Sequence, residues 1–457
     1  MRTTDTIAAI STALSPGGIG IVRLSGEDSV RIADRVYRGV RRLSDCATHT
    51  INYGYICDGE ERVDQVLVML MRAPHTYTGE DVVEIDCHGG MIVLERVLSL
   101  VLAAGAIPAE PGEFTKRAFL NGKMDLSQAE AVLDIIEAGN ELALRNGEDQ
   151  LGGRLSGRIK DMRSRLLGEI AYIEAALDDP EHYDLTGYGE DTLKGILTGI
   201  AAEISALLRD ADAGIFMKSG INTVILGRPN AGKSSIYNLL AGTERAIVTE
   251  IAGTTRDTLT EHIMMRGISL NITDTAGIRE SDDRVEKIGV ERARQAAYSA
   301  DLVLFIIDGS EALSEEDTEM IRQLKDKKII VLLNKSDIDT AVQPSDIEQI
   351  ADVPVIIFSA REGTGRTELE DRIKEMFYTG ELENTDRIYI TSLRHKDALK
   401  RAGESVDNVL RSIEDGMPED FLSIDLTDAY GALGEITGET VGDEIIDEIF
   451  SRFCMGK

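Results

Sequence analysis

Cysteine is scarce in this chain. Only four stand among 457 residues (Cys46, Cys57, Cys87 and Cys454), far apart and with no C-x-x-C pair. That spacing excludes a disulfide framework and a cysteine-built zinc site, and it suits a reducing compartment. Long apolar runs are missing as well. The longest, residues 302–307 and 329–333, are strand-length and fall far short of the ~20 residues a membrane-spanning helix needs. Residues 1–18 hold no apolar stretch behind a basic start, so no secretory leader is read there. Basic charge is short too: 49 Lys+Arg against 81 Asp+Glu gives 49 − 81 = −32. So acidic a chain does not hold nucleic acid by its overall charge; a basic partner or a local basic patch would have to do it. There is no internal repeat and no low-complexity segment. The expectation is a soluble, cytoplasmic protein without membrane association, long enough for about two to four domains.

What is present is organised around Gly227-Arg-Pro-Asn-Ala-Gly-Lys-Ser234. An apolar run at 222–226 reads as a buried strand before it, and 235–240 as the first turns of a helix after it. That is G-x-x-x-x-G-K-[ST] in strand–loop–helix order. Backbone N–H groups from Gly227 through Asn230, Ala231, Gly232 and Ser235 cradle phosphates, Lys233 reaches the β/γ oxygens, and the Ser234 hydroxyl ligates Mg²⁺. Two strands at 260–265 and 268–273 follow, joined at Arg266-Gly267, and lead into Asp274-Thr-Ala-Gly277. Asp274 holds Mg²⁺ through water, and Gly277 offers its N–H to the γ-phosphate, with Thr275 and Ala276 between them. Further strands end near Asp308, Asn334 and Ser359, so the sheet is mainly parallel with ligands at the strands' carboxyl ends. In Asn334-Lys335-Ser-Asp337 the carboxylate matches the two donors of the guanine edge, which adenine lacks. Ser359-Ala360-Arg361 puts a backbone N–H on the guanine oxygen. The nucleotide is GTP. The residue after D-x-x-G is Ile278, which cannot orient water as glutamine does in many small GTPases, and Arg256 and Arg279 are the candidate charge-neutralising groups.

The fold expected is multidomain α/β and α. Residues 1–119 form a compact α+β domain, with strands at 19–24, 51–56, 66–71 and 82–87, a helix at 91–104, and candidate ligand loops at 76–81 and 88–90. Helical periodicity fills 126–151, 155–177 and 193–211, and returns at 392–410 and 420–452. A Ras-like P-loop G domain at 218–380 is therefore inserted into a discontinuous helical domain, 120–217 and 381–457. Gly214, Ser219-Gly220 and Thr379-Gly380 mark hinges.

Several blocks together resemble the tRNA modification GTPase family called MnmE or TrmE, from end to end. They are the phosphate loop with asparagine at 230, the Gly253-Thr-Thr-Arg-Asp257 loop and DTAG. With them stand Asp283-Arg-Val-Glu-Lys-Ile-Gly-Val-Glu-Arg292, Pro111-Gly-Glu-Phe-Thr-Lys-Arg-Ala-Phe-Leu-Asn121, Leu433-Gly-Glu-Ile-Thr-Gly438 and the tail Phe453-Cys-Met-Gly-Lys457. The resemblance implies a homodimer in which potassium replaces the arginine finger, held by Asn230, Thr249, Ile251 and Thr254. Thr255 would share Mg²⁺ with Ser234, and Thr249, Thr254 and Thr255 would line the GTP site. Glu286 would orient the water that Ile278 cannot. The N-terminal domain would bind a tetrahydrofolate derivative, 5-formyl or 5,10-methylene, through Arg23, Glu80, Lys123 and Lys457, and Cys454 would be the functional cysteine. The partner implied is the FAD-dependent MnmG (GidA) protein, with tRNA bound through the complex. The tail departs from the family in carrying Met455 where isoleucine or leucine is usual, a volume-conserving change. Residues 178–184 are unusually acidic. The rival function is a GTP-dependent assembly or signalling switch without one-carbon chemistry, which would need neither the N-terminal unit nor the tail.

Overall fold

The structure is a computed structural model that describes residues 5–178, 190–242, 260–265, 267–273, 295–378, 387–417 and 419–457. Its contacts divide the chain into two compact units. One comprises Met1–Leu133, Gln150–Asp184 and Pro418–Lys457; the other comprises Asp134–Asp149 and Leu185–Met417.

The first unit carries seven strands: β1 (Ile7–Ile10), β2 (Gly17–Ser25), β3 (Tyr37–Gly39), β4 (Thr50–Asp58), β5 (Glu61–Met71), β6 (Val82–Gly89) and β7 (Ile107–Pro108). They run in the order β3-β4-β5-β6-β2-β1-β7, antiparallel except for the parallel β1–β7 pair. Alternation decides the faces. Val66, Val68 and Leu70 of β5 and Val83, Ile85 and Cys87 of β6 are buried in one core with Leu94, Val97 and Val101 of helix Met91–Ala103. Glu84, Asp86 and His88 fall on the opposite face. Helix Arg154–Asp178 packs on helix Glu419–Thr437, and Arg163 stacks 4.1 Å from the Tyr430 ring while pairing with Glu439.

The second unit holds a sheet of β8 (Ile221–Leu226), β9 (Thr260–Met265), β10 (Ile268–Thr273), β11 (Leu302–Asp308), β12 (Ile329–Asn334) and β13 (Val355–Ile357). The order is β13-β12-β11-β8-β10-β9, parallel but for β9 against β10. Every residue of β11 and β12 is buried, as a strand covered on both faces requires. Leu302, Leu304 and Ile306 meet Ile236 and Leu240 on one side; Val303, Phe305 and Ile307 meet Ile321 and Leu324 on the other. This is the expected multidomain fold: an α+β unit, helices drawn from separated stretches, and a P-loop α/β sheet.

Two expected helices are broken. Residues 126–151 form Leu126–Glu137 and Glu141–Leu151, because Asn140 turns its side-chain oxygen onto the Ala143 N–H at 2.7 Å and caps a new helix. Residues 420–452 form Glu419–Thr437 and Asp443–Ser451, separated at Gly438, whose φ is +88°. Gly214, expected at a hinge, lies inside helix Ala211–Ser219, where any Cβ would overlap the Ile390 carbonyl. Thr379 and Gly380 lie outside the described residues. Among the described residues no helix is long and apolar enough to cross a membrane.

Candidate functional site

The phosphate loop is shaped by backbone that only small residues tolerate. Gly227 (φ +147°) and Gly232 (φ +100°) occupy conformations that L side chains rarely adopt, and Asn230 sits at φ +65°. A Cβ at Gly227 would overlap the Ile306 carbonyl of β11, and one at Gly232 would overlap the Asn334 amide of β12. The loop thus lies directly against two neighbouring strand ends. Helix Lys233–Ala241 starts at Gly232, so its first N–H groups and dipole open onto the loop. Lys233 donates to the Gly227 and Arg228 carbonyls, each at 2.8 Å, and burial lowers its ammonium. Ser234 and Ser235 are exposed at the helix start.

Asn334 joins this end to the loop at 359–361, where base recognition is expected. Its side-chain N–H donates to the Ala231 carbonyl at 2.8 Å, and its oxygen accepts from the Ala360 N–H at 3.1 Å. Lys335, at φ +67°, turns away from the strand and binds Asp308 at 2.5 Å. Burial pushes the Asp308 carboxyl up, but Lys335 and Ser310 outweigh it and hold the group below its usual range. The Ser359 hydroxyl donates to Asp337 at 2.9 Å, and Arg361 stands 3.8 Å from the other Asp337 oxygen. The stretches 334–337 and 359–361, more than twenty residues apart in sequence, are therefore tied together by the Asn334–Ala360 and Asp337–Ser359 hydrogen bonds, while Lys335 ties the first of them to Asp308. Thr249, Ile251, Thr254, Thr255, Asp274, Thr275, Ala276, Gly277 and Glu286 lie outside the described residues, as do Arg256 and Arg279.

A second group forms in the other unit. Arg23 donates to Glu84 at 2.7 Å and to the Gly456 carbonyl at 2.9 Å, with its guanidinium 5.6 Å from the Phe114 ring and 5.9 Å from that of Tyr77. The tail is seated by backbone as well: Phe114 N–H donates to the Lys457 carbonyl at 3.2 Å. Gly456, at φ +89°, leaves no room for a Cβ beside Ile10. Burial lowers the Lys457 ammonium, and the neighbouring Arg23 lowers it further. Glu80 accepts from Ser25 at 2.7 Å and pairs with Arg117 at 3.1 Å. Lys123 is exposed and donates to the Pro74 carbonyl at 3.1 Å. Cys454 is exposed, whereas burial, with Asp64 and Asp86, pushes the Cys87 thiol up to about 12.

Comparison with known proteins bears on both groups. Residues 126–454 match the family profile of the MnmE helical domain, and residues 6–123 that of the GTP-binding protein TrmE N-terminus. The tRNA modification GTPase MnmE of Lachnoclostridium phytofermentans is 53% identical over 457 residues, which are 99% of this chain and 100% of that one. The chain belongs to the MnmE family of tRNA modification GTPases. A further member, from Staphylococcus epidermidis, is 46% identical over 456 residues, 99% of either chain. Among solved structures, the G domain of the T. maritima FeoB iron transporter aligns with 34% of this chain and 97% of its own at 24% identity, with a TM-score of 0.27. GTP is the nucleotide of this MnmE-family chain.

Sequence reasoning missed two arginines. Arg117 has a side chain only 5% exposed, yet ties Glu80, Glu113 and the Asp5 carbonyl together. Its signal was a Glu–Arg pair four residues apart on an otherwise apolar helix face. Arg228, inside the phosphate loop, bonds to Asp317 at 3.1 Å; Asp317 itself caps helix Glu315–Leu324. Nothing local in the sequence links positions 228 and 317.

Proposed function

We propose that this protein is a cytoplasmic, homodimeric, potassium-dependent GTP hydrolase. With the FAD-dependent MnmG (GidA) protein it installs an aminomethyl- or carboxymethylaminomethyl-type group on carbon 5 of the wobble uridine of certain tRNAs. In this reading residues 1–119, 120–217 with 381–457, and 218–380 are the α+β, helical and G domains. Ser234 and Thr255 hold Mg²⁺; Asn230, Thr249, Ile251 and Thr254 hold K⁺. Asn230 suits that task, being exposed on the loop at φ +65° with an amide oxygen to offer. A potassium ion supplies fixed positive charge near the leaving oxygen, as an arginine finger does elsewhere. Glu286 orients the attacking water.

The observation that carries the one-carbon reading is the seating of the tail against β2. Lys457 is desolvated beside Arg23, and its side chain forms no hydrogen bond or ion pair among the described residues. Two cations brought together around one carboxylate, Glu84, suit an anionic or carbonyl-rich ligand, as the pterin and glutamate parts of a folate are. Tetrahydrofolate, bound by Arg23, Glu80, Lys123 and Lys457, supplies the one-carbon unit, and Cys454 stands exposed three residues from Lys457. A switch without one-carbon chemistry has no use for such a seat.

The test is nucleoside analysis of tRNA from cells with and without the protein. Loss of the 5-substituted wobble uridine on deletion is expected; unchanged uridine modification refutes the role. For the G domain, hydrolysis in potassium should exceed that in sodium by at least about tenfold, the scale at which removal of one transition-state charge is felt. Equal rates in the two salts would remove potassium from the mechanism.

A further inference from the structure

The net charge of −32 hides one strongly basic stretch. Residues 31–42 carry five arginines (Arg31, Arg35, Arg38, Arg41, Arg42) and a single acid, Asp34. That acid is half-buried and turned onto its own chain, accepting from the Leu43 and Ser44 N–H groups at 2.5 and 3.0 Å. The arginines do not share its fate. Arg31 pairs with Asp28, but Arg35 and Arg38 donate only to carbonyls, which leave a guanidinium charge uncompensated. The side chains of Arg41 and Arg42 are exposed and have no hydrogen bond or ion pair among the described residues.

Topology gathers this charge at one place. β3 is an edge strand, so Arg38 and the following loop lie along a free rim of the sheet. Arg38 is in register with Tyr55 on β4, and Arg62 of β5 lies 4.2 Å above the Tyr55 ring. Tyr53, 52% exposed, stands edge-on to Tyr55 at 5.9 Å. A charged rim can protect an edge strand from pairing, but one charge on the three-residue β3 does that. Arg41 and Arg42 lie beyond the strand, and the stacked Arg62–Tyr55 pair lies beside it.

We propose that this rim is an RNA-contacting surface, with Arg38, Arg41 and Arg42 on backbone phosphates and the Arg62, Tyr53 and Tyr55 group stacking on an unpaired base. Phosphate contacts need clustered guanidinium groups, and single-stranded bases seat on aromatic and guanidinium planes. An acidic protein partner would use the charges but has no need of the aromatic faces. The proposal rests on the tRNA role above, and it places part of the tRNA contact on this chain rather than wholly on a partner.

The test uses the full-length protein and a fluorescently labelled tRNA transcript, with affinity read by anisotropy across a salt series. Arg38→Glu/Arg41→Glu/Arg42→Glu should weaken binding at least about tenfold and flatten the slope of log K against log salt by about 2, near 0.7–0.9 per lost phosphate contact. The same charge change at Lys400, Arg401 and Arg411, exposed on helix Leu393–Glu414, should shift affinity less than about twofold. GTP hydrolysis reports folding. If the triple variant loses it, Arg41→Ala and Arg42→Ala separately should each lower the slope by about 1. Unchanged binding, or an equal loss in the Lys400 control, overturns the proposal. So does a change of oligomeric mass by light scattering with tRNA affinity intact, which assigns the rim to a second copy. If the wild type supports uridine modification while the rim variant binds tRNA normally, only the proposal falls. If tRNA binding follows the rim but cellular uridines are unaffected by deletion, the surface stands and the modification role falls.

Discussion

Asp337→Asn should lower kcat/KM for GTP by about two to four powers of ten and raise it for xanthosine triphosphate. The carboxylate is 12% exposed and already oriented by the Ser359 hydroxyl at 2.9 Å. Two hydrogen bonds from the guanine N1–H and 2-amino group to a charged acceptor contribute about 1.5–3 kcal/mol each. Weakening one to a neutral bond and replacing the other by repulsion removes about 3–6 kcal/mol, and every 1.4 kcal/mol is tenfold. The amide then presents a donor to the 2-amino group, so one contact turns repulsive. Xanthine carries an oxygen at that position, which the new donor matches. Steady-state hydrolysis of both nucleotides by the two proteins checks this; a variant that keeps its preference for GTP removes Asp337 from base recognition.

Much of that site was legible because a parallel sheet forces its chemistry to the strand ends. β10 alternates apolar and polar residues and β9 precedes it across Arg266-Gly267, and they fall at residues 268–273 and 260–265, as expected from pattern alone, whereas β11 and β12 are apolar on both faces. β11 and β12 end at Asp308 and Asn334, where their apolar runs stop. β13 is different. It stops at Ile357, two residues before Ser359, which instead forms an isolated bridge to Thr364. The N-terminal sheet was only partly legible: β1, β3 and β7 have four, three and two residues, too few for a two-residue period to register.

What sequence could not supply were partnerships across long separations. Helical text runs through Asn140 and Gly438 without interruption in hydrophobic spacing, yet a side-chain cap at one and a positive φ at the other end the helices. Arg23 meets Gly456 across 433 positions, and Arg117 meets Glu80 across 37. The family resemblance named the ends of these interactions in Arg23 and Glu80. It did not show that the tail is pinned by its own backbone, or that a buried arginine neutralises Glu80.

Asn334 is where this distinction has its largest consequence for stability. As the first residue of its motif it was expected to serve the nucleotide; its bonds show it also serving the protein. It is 3% exposed and holds the Ala231 carbonyl of the phosphate loop and the Ala360 N–H of the base loop at once. Asn334→Ala strands both backbone groups in a site where water has little access, at about 1–3 kcal/mol apiece. A void beside Gly232 adds to this, since the loop packs against the amide so closely that a Cβ at Gly232 would overlap it. The expected result is a loss of about 3–5 kcal/mol from the unit that holds the β8–β13 sheet. That corresponds to a fall in its melting temperature of about 6–20 °C. GTP affinity should drop about a hundredfold, because the phosphate and base loops lose the bridge that fixes their separation. Calorimetry with and without GDP·Mg²⁺, together with fluorescent-nucleotide titration, measures both effects. A variant that melts within a degree of the parent and binds GTP as tightly would show that the two loops hold their places without Asn334, and that its side chain does no more than fill space.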